Sequence, residues 1–254
     1  MTSWPGPLVA PTATLAPHEI ARYARTISLS GVGTQGQRRL KSARVCVVGA
    51  GGLGGPVLQY LVGAGVGHIT VVDDDVVEVR NLQRQTLYGH ASIGHKKADA
   101  AVARLRDLND LITLSAVSRR VTAESAADIF AGHDLVVDAV DNLPTRLVTA
   151  DACQALDLPF VWGAVQSVNG QVSVFWERLG LGLRDLFPRP PAEMPRLDDV
   201  GVLGPMTGWV GSVMATECLK VIMGIGEPLV GRVMYIDTLG ARVSELPLKG
   251  RGPQ

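Results

Sequence analysis

The chain has 254 residues, and its 24 Lys+Arg balance 24 Asp+Glu, so it can bury a core but has no overall field to draw nucleic acid or an anionic membrane. Its three cysteines, Cys46, Cys153 and Cys218, stand far apart with no CxxC or Cys/His pairing, which excludes a recognisable zinc site or disulfide framework and fits plain buried thiols. No basic-then-apolar signal and no apolar run of bilayer length occurs, so a soluble, reduced, cytoplasmic protein is expected.

In chain order, residues 1–17 carry four prolines without usable periodicity and read as a flexible leader. Residues 18–246 read as one domain, and 247–254 as a flexible tail. Apolar β-rich runs recur at 44–48, 69–73, 111–117, 134–140 and 159–165, with helical periods between them at 53–64, 92–109, 124–131 and 143–156. That alternation predicts an α/β fold with a doubly wound, Rossmann-like, mostly parallel sheet. After Phe160 the pattern changes. The stretches GQVSVFWE and RVMYIDTLGARVSELPL predict antiparallel C-terminal strands, separated by an irregular segment (178–206) and a helix near 208–223. The irregular segment holds five prolines, and a loop of that length inside a domain is usually mobile or functional.

The first strand runs into VCVVGAGGLGGP, which contains Gly49-x-Gly51-x-x-Gly54. Gly49 permits the tight turn, Gly51 lets the backbone approach a phosphate, and Gly54 lets the following helix pack close to the sheet. The helix N-terminus then offers free N–H groups to an anion. Asp73 follows Gly49 by 24 positions at the end of the second strand, where a carboxylate accepts hydrogen bonds from ribose hydroxyls. These features fit NAD, FAD or ATP equally.

Downstream residues discriminate. Arg84 and Lys97 stand just beyond the ribose-binding strand. A dinucleotide has little need of two extra cations there, whereas a triphosphate cleaved at its α-phosphate leaves charge on departing pyrophosphate. Asp138 and Asp141 end the fourth apolar run, and a carboxylate at that strand end is a natural hard-oxygen ligand for Mg²⁺. Taken singly, Asp141 also reads as a helix N-cap, and the basic pair as a solvated face.

Together, RYARTISLSGVGTQGQ, VVGAGGLGGP, GVGHITVVDDDVVEVRNLQRQ, DAVDN and GVLGPMTGWVGSVMATECLKVIMGIGEPLVGRV resemble, block by block and in order, the ThiF/MoeB/HesA family, relatives of the ubiquitin-activating enzymes. The resemblance runs from about Glu19 to Leu246. It implies binding of Mg·ATP and adenylation of the C-terminal glycine carboxylate of a small ubiquitin-like sulfur-carrier protein, with release of pyrophosphate. It further implies that Gly49, Gly51 and Gly54 form the phosphate turn and that Asp73 holds the ribose. Asn81, Arg84 and Lys97 would contact the phosphates, Asp141 would bind Mg²⁺, and Asn142 would stand beside the nucleotide. Arg25 matches an arginine that reaches the ATP of a neighbouring subunit, which implies a homodimer with shared sites.

The pattern also breaks. Where many relatives carry a zinc-binding CxxC, this chain has Gly182 and Asp185, and no cysteine follows Cys218, so no zinc is expected. Where relatives carry a cysteine on the crossover loop, Leu197 stands here. Covalent transfer through a loop thiol is therefore not expected, and the adenylate would pass to an external nucleophile, such as a separate sulfurtransferase. Two other readings stay open: adenylation of a peptide or small carboxylic acid, and a non-catalytic subunit that docks a carrier.

Overall fold

The run Arg44–Val48 forms β1, the second strand from the centre of everything the chain builds around it, and all but its first residue are buried. The computed structural model describes residues 4–188 and 201–248. Beside β1 lie β2 (His68–Val72), β3 (Thr113–Val117), β4 (Leu135–Asp138) and β5 (Phe160–Gln166), followed by β6 (Asn169–Phe175), β7 (Arg232–Asp237) and β8 (Arg242–Pro247). They form one eight-stranded sheet in the order β3-β2-β1-β4-β5-β6-β7-β8. The pairings from β3 through to β5 are parallel, and those from β5 to β8 antiparallel. The central strands are continuous apolar runs because both faces of a parallel sheet are covered. The α/β class and the switch to antiparallel strands agree with the sequence.

Nine described helices surround the sheet: α1 (Pro17–Arg22), α2 (Ala24–Ile27), α3 (Gly33–Ser42), α4 (Gly54–Ala64), α5 (Lys97–Leu108), α6 (Ala126–Phe130), α7 (Leu143–Ala155), α8 (Leu183–Leu186) and α9 (Gly204–Met223). Helix α5 starts later than the periodicity suggests, because Gly94, at φ +86°, breaks the run into a separate turn at His90–Ser92. Helix α9 starts earlier than 208, because Pro205 occupies its first turn, where a missing N–H is no loss. Met206, Val210, Met214, Cys218 and Ile222 of α9 are all buried, a stripe repeating every four residues on a helix that packs on α4, β5 and β6. Each large side chain in such a stripe contributes about 1.5–3 kcal/mol by leaving water.

The two faces of the sheet carry separate apolar clusters. One joins Val45, Val47, Leu58, Leu61 and Met214; the other joins Cys46, Phe130, Cys153, Phe160, Trp162 and Phe175. All three cysteines are buried, and burial pushes each thiol well above its ordinary range, which makes them poor nucleophiles.

Residues 4–16 form no regular element, yet they are held on the domain rather than free as their prolines suggest. Leu8 N–H donates to Val221 O at 3.1 Å, Val9 is buried, and Trp4 lies 5.1 Å from Trp176, ring to ring. Apolar side chains in this stretch outweigh its lack of periodicity. At the other end β8 continues to Pro247, and Leu248 N–H bonds Gly231 O at 2.8 Å. Among the described residues no helix is long and apolar enough to cross a membrane.

Candidate functional site

The chain leaves β1 towards β2 and β3, then returns to β4 on the other side of β1. Such a switch opens a crevice at the carboxyl ends of the strands. Gly49 stands at that end of β1 with φ +94°, and a Cβ there would lie 2.7 Å from Ala139 O. Gly54 closes the turn: a Cβ on it would sit 1.8 Å from Gly49 O, so no side chain fits. Asp73, one residue past β2, fixes the turn from the side. Its Oδ2 accepts Ala50 N–H at 2.8 Å and its Oδ1 accepts Asp75 N–H at 2.9 Å. Burial raises the Asp73 pKa, against the Lys97 charge and the two N–H donors, which lower it.

Above the turn is a cavity of about 840 Å³, within the roughly 300–1,000 Å³ range of small-molecule sites. Gly49, Gly51, Asp73, Arg84, Lys97, Asp141 and Asn142 all stand on its wall. Lys97 opens α5 with its side chain almost buried, and its Nζ lies 2.9 Å from Asp75 Oδ2. A solvated face is thus not its setting. Nor is Asp141 the helix cap. Asn142 takes that position on α7, its side chain accepting Thr145 N–H at 3.0 Å, which leaves the exposed Asp141 carboxylate beside the cavity.

Three expected residues are not on this wall. Gly54 packs against Gly49. Asn81 is buried in the turn before Arg84, where its Oδ1 accepts Glu78 N–H at 2.9 Å. Arg25 is exposed on α2, away from the cavity of its own chain.

The sequence pattern of the ThiF family matches residues 23–254. The chain belongs to the ThiF family. It is 46% identical over 244 residues to the probable adenylyltransferase/sulfurtransferase MoeZ of Mycobacterium tuberculosis, covering 94% of this chain and 62% of MoeZ. It is 47% identical to the sulfur carrier protein adenylyltransferase of Thermus thermophilus, over 93% of this chain and 89% of that protein. The SAMP-activating enzyme E1 of Haloferax volcanii is 41% identical, over 94% of this chain and 88% of that protein. A crystal structure of E. coli MccB with MccA-N7isoASN shares the fold, with a TM-score of 0.81 at 20% identity, over 96% of this chain and 74% of that one.

Within this ThiF fold, several wall residues escape a reading of motifs. Thr207 of α9 packs on Gly52, and its Oγ1 donates to Gly204 O at 2.8 Å. Gln166, Gln171 and Tyr235 also line the cavity, brought together by the β5–β6–β7 register, in which Gln171 opposes both Ala164 and Tyr235. Arg146 lines the cavity from α7. Gln85 lines it from the last position of NLQRQ.

Oxygen donors suited to a hard cation are present. The Asp73, Asp74 and Asp75 carboxylates lie within 4.8 Å of one another, and Asp141 also lines the cavity. The Asp185 carboxylate accepts Gly182 N–H at 2.8 Å and caps α8. Leu197 and the crossover-loop reading lie outside the described residues.

Proposed function

We propose that this ThiF-family chain is an ATP-dependent adenylyltransferase that activates the C-terminal glycine carboxylate of a small ubiquitin-like sulfur-carrier protein. The observation that carries this reading is the pairing of the glycine turn with Arg84, Lys97 and Asp141 around one cavity. A cavity for a redox dinucleotide would not require that set. The Thermus and Haloferax relatives, named for a sulfur carrier and for SAMP, support the choice of substrate class.

In this reading the nucleotide phosphates lie over Gly49 and Gly51, and the ribose hydroxyls donate to Asp73. The carrier carboxylate attacks the α-phosphate, its new P–O bond replaces the bond to the β-phosphate, and pyrophosphate departs. No side chain acts as nucleophile; proximity and charge do the work. Arg84 and Lys97 neutralise the departing charge, which is where such reactions gain most. Asp75, already bonded to Lys97 Nζ, holds that ammonium in place. Asp141 would hold Mg²⁺, which when bound offsets further phosphate charge. Asn81 shapes the turn that presents Arg84, and Asn142 fixes the start of α7 beside the nucleotide.

The exposed position of Arg25 supports its service in the site of a second copy, hence a homodimer with shared sites. The domain spans 18–246, works in the cytoplasm, uses no zinc, and hands its adenylate to an external nucleophile such as a separate sulfurtransferase. This chain spans 62% of MoeZ, which is named for both activities.

The test is exchange of labelled pyrophosphate into ATP with carriers ending in Gly-Gly. Exchange that depends on such a carrier supports the reading. Exchange with a small acid alone would replace the carrier by that acid. No ATP binding by calorimetry would reduce the chain to a docking subunit.

A further inference from the structure

Residues 84–88 lie across the glycine turn. Leu87 faces Gly55, and the Tyr88 hydroxyl reaches both Ala50 O at 2.8 Å and Lys97 O at 3.1 Å. Gln85 faces Gly51: a Cβ on that glycine would lie 3.4 Å from Gln85 Nε2. Its backbone N–H donates to Asn81 O at 2.9 Å and its carbonyl accepts Tyr88 N–H at 3.1 Å, so both main-chain groups are fixed within the turn. Gln85 also lines the cavity.

Gln85 is 4% exposed, and its Oε1 is buried with no hydrogen-bond partner among the described residues. A buried carbonyl without a donor works against folding. Methionine would fill the same volume without that penalty. The fold therefore gives no reason for an amide here, while the cavity gives one, because the Nε2 group is a donor held beside the glycine whose backbone meets phosphate.

We propose that Gln85 is a nucleotide-binding residue of this enzyme, its Nε2 donating to a phosphate oxygen above Gly51. The proposal rests on the adenylating reading above. Gln85 stands next in the chain to Arg84 but does different work. The guanidinium neutralises charge, while the neutral amide fixes where the phosphate chain sits.

The experiment uses the full chain with Mg²⁺ and measures ATP and adenosine binding by calorimetry for wild type, Gln85→Met and Gln85→Glu, with thermal melts of each. Gln85→Met is expected to melt at or above the wild-type temperature, since it removes an unpartnered carbonyl. It should bind ATP about tenfold more weakly, equivalent to about 1.4 kcal/mol. Adenosine, which has no phosphate, should bind within about twofold of wild type by the same arithmetic. Gln85→Glu should lose more ATP affinity than Gln85→Met, because a carboxylate opposes phosphate. Equal ATP affinity in all three proteins would overturn the assignment and leave the adenylating reading intact. So would a parallel loss of ATP and adenosine in Gln85→Met, which would mean a deformed cavity. Wild type that binds no ATP would overturn the adenylating reading and this assignment with it.

Discussion

Arg146 and Asp138 form a buried pair beneath the cavity, with Arg146 Nε 3.6 Å from Asp138 Oδ2 and side-chain exposures of 6% and 0%. The guanidinium also donates through Nη2 to Val140 O and to Gly163 O, and it lies 5.3 Å from the Trp162 ring centre. It thereby ties the segment after β4, which carries Asp141, to β5. Burial raises the Asp138 pKa and the Arg146 charge opposes that rise.

Removing one partner of such a pair leaves the other charge buried, at a cost of about 3–5 kcal/mol. Arg146→Met and Asp138→Asn are each expected to lower the denaturant midpoint strongly. The double variant Asp138→Asn/Arg146→Met should be less destabilised than the two single losses added together, because no lone charge remains. Strict additivity in urea titrations would show that the two residues act independently.

Asp141 and Asn142 are neighbours with separable roles. Asn142 caps α7, so Asn142→Ala is expected to lose about 1 kcal/mol of stability. Asp141 caps nothing, so Asp141→Ala should melt like wild type while losing about 10²–10³ in kcat if its charge serves the transition state. Melting curves and pyrophosphate exchange on the same preparations check both halves. An Asp141→Ala protein that unfolds early, or exchanges normally, contradicts this division.

Much of this was legible in the chain itself. The central strands are apolar runs because they are buried on both faces, and Gly49 and Gly54 stand where no side chain fits. Asp141 was harder to read, since an Asp before NLPTR looks like a helix cap until the structure gives that task to Asn142. Asn81 sits inside its own turn, and motif spacing does not distinguish a turn-former from a wall residue. The part of the wall formed by Gln166, Gln171 and Tyr235 depends on the register of three antiparallel strands, and a shift by one residue would turn each side chain to the other face. Local pattern does not specify that pairing.

Arg25 offers a test of shared sites. If each site takes Arg25 from the second copy, Arg25→Ala and Asp141→Ala proteins are each inactive, but mixed dimers collect both defects in one site. After denaturation and joint refolding at equal amounts, half the dimers are mixed, each with one intact site. Exchange activity should then recover to about a quarter of wild type by the symmetry of a two-fold dimer. No recovery, with mixed dimers demonstrated by tagged pull-down, would mean that Arg25 serves its own chain or no site.

The lower end of the sheet carries a pH-sensitive chain away from the cavity. Thr70 Oγ1 lies 3.2 Å from His68 Nε2 and 2.8 Å from His133 Nε2, and His133 Nδ1 is 3.2 Å from Phe130 O. A hydroxyl has one proton to donate, so at most one of the two imidazoles accepts from it; His133, whose Nδ1 faces the Phe130 carbonyl, is the ring that accepts through Nε2 while neutral. Burial lowers the pKa of His68, helped by the charges of Arg44 and His133. Burial also lowers that of His133, with Arg44 in support and the Phe130 carbonyl and Asp134 in opposition. Both folded values therefore lie below the unfolded one, and the unfolded chain binds protons first. Their contribution to stability is complete above the unfolded value of about 6.5 and is lost as pH falls through the folded values. Urea midpoints measured from pH 8 to pH 5 should fall towards acid, and His68→Gln/His133→Gln should flatten that decline. The lowered pKa of the Glu19 carboxylate, starting from 4.5, acts at lower pH and does not account for a change between pH 7 and 6. A wild-type profile that stays level to pH 5 would rule out this account of the pair.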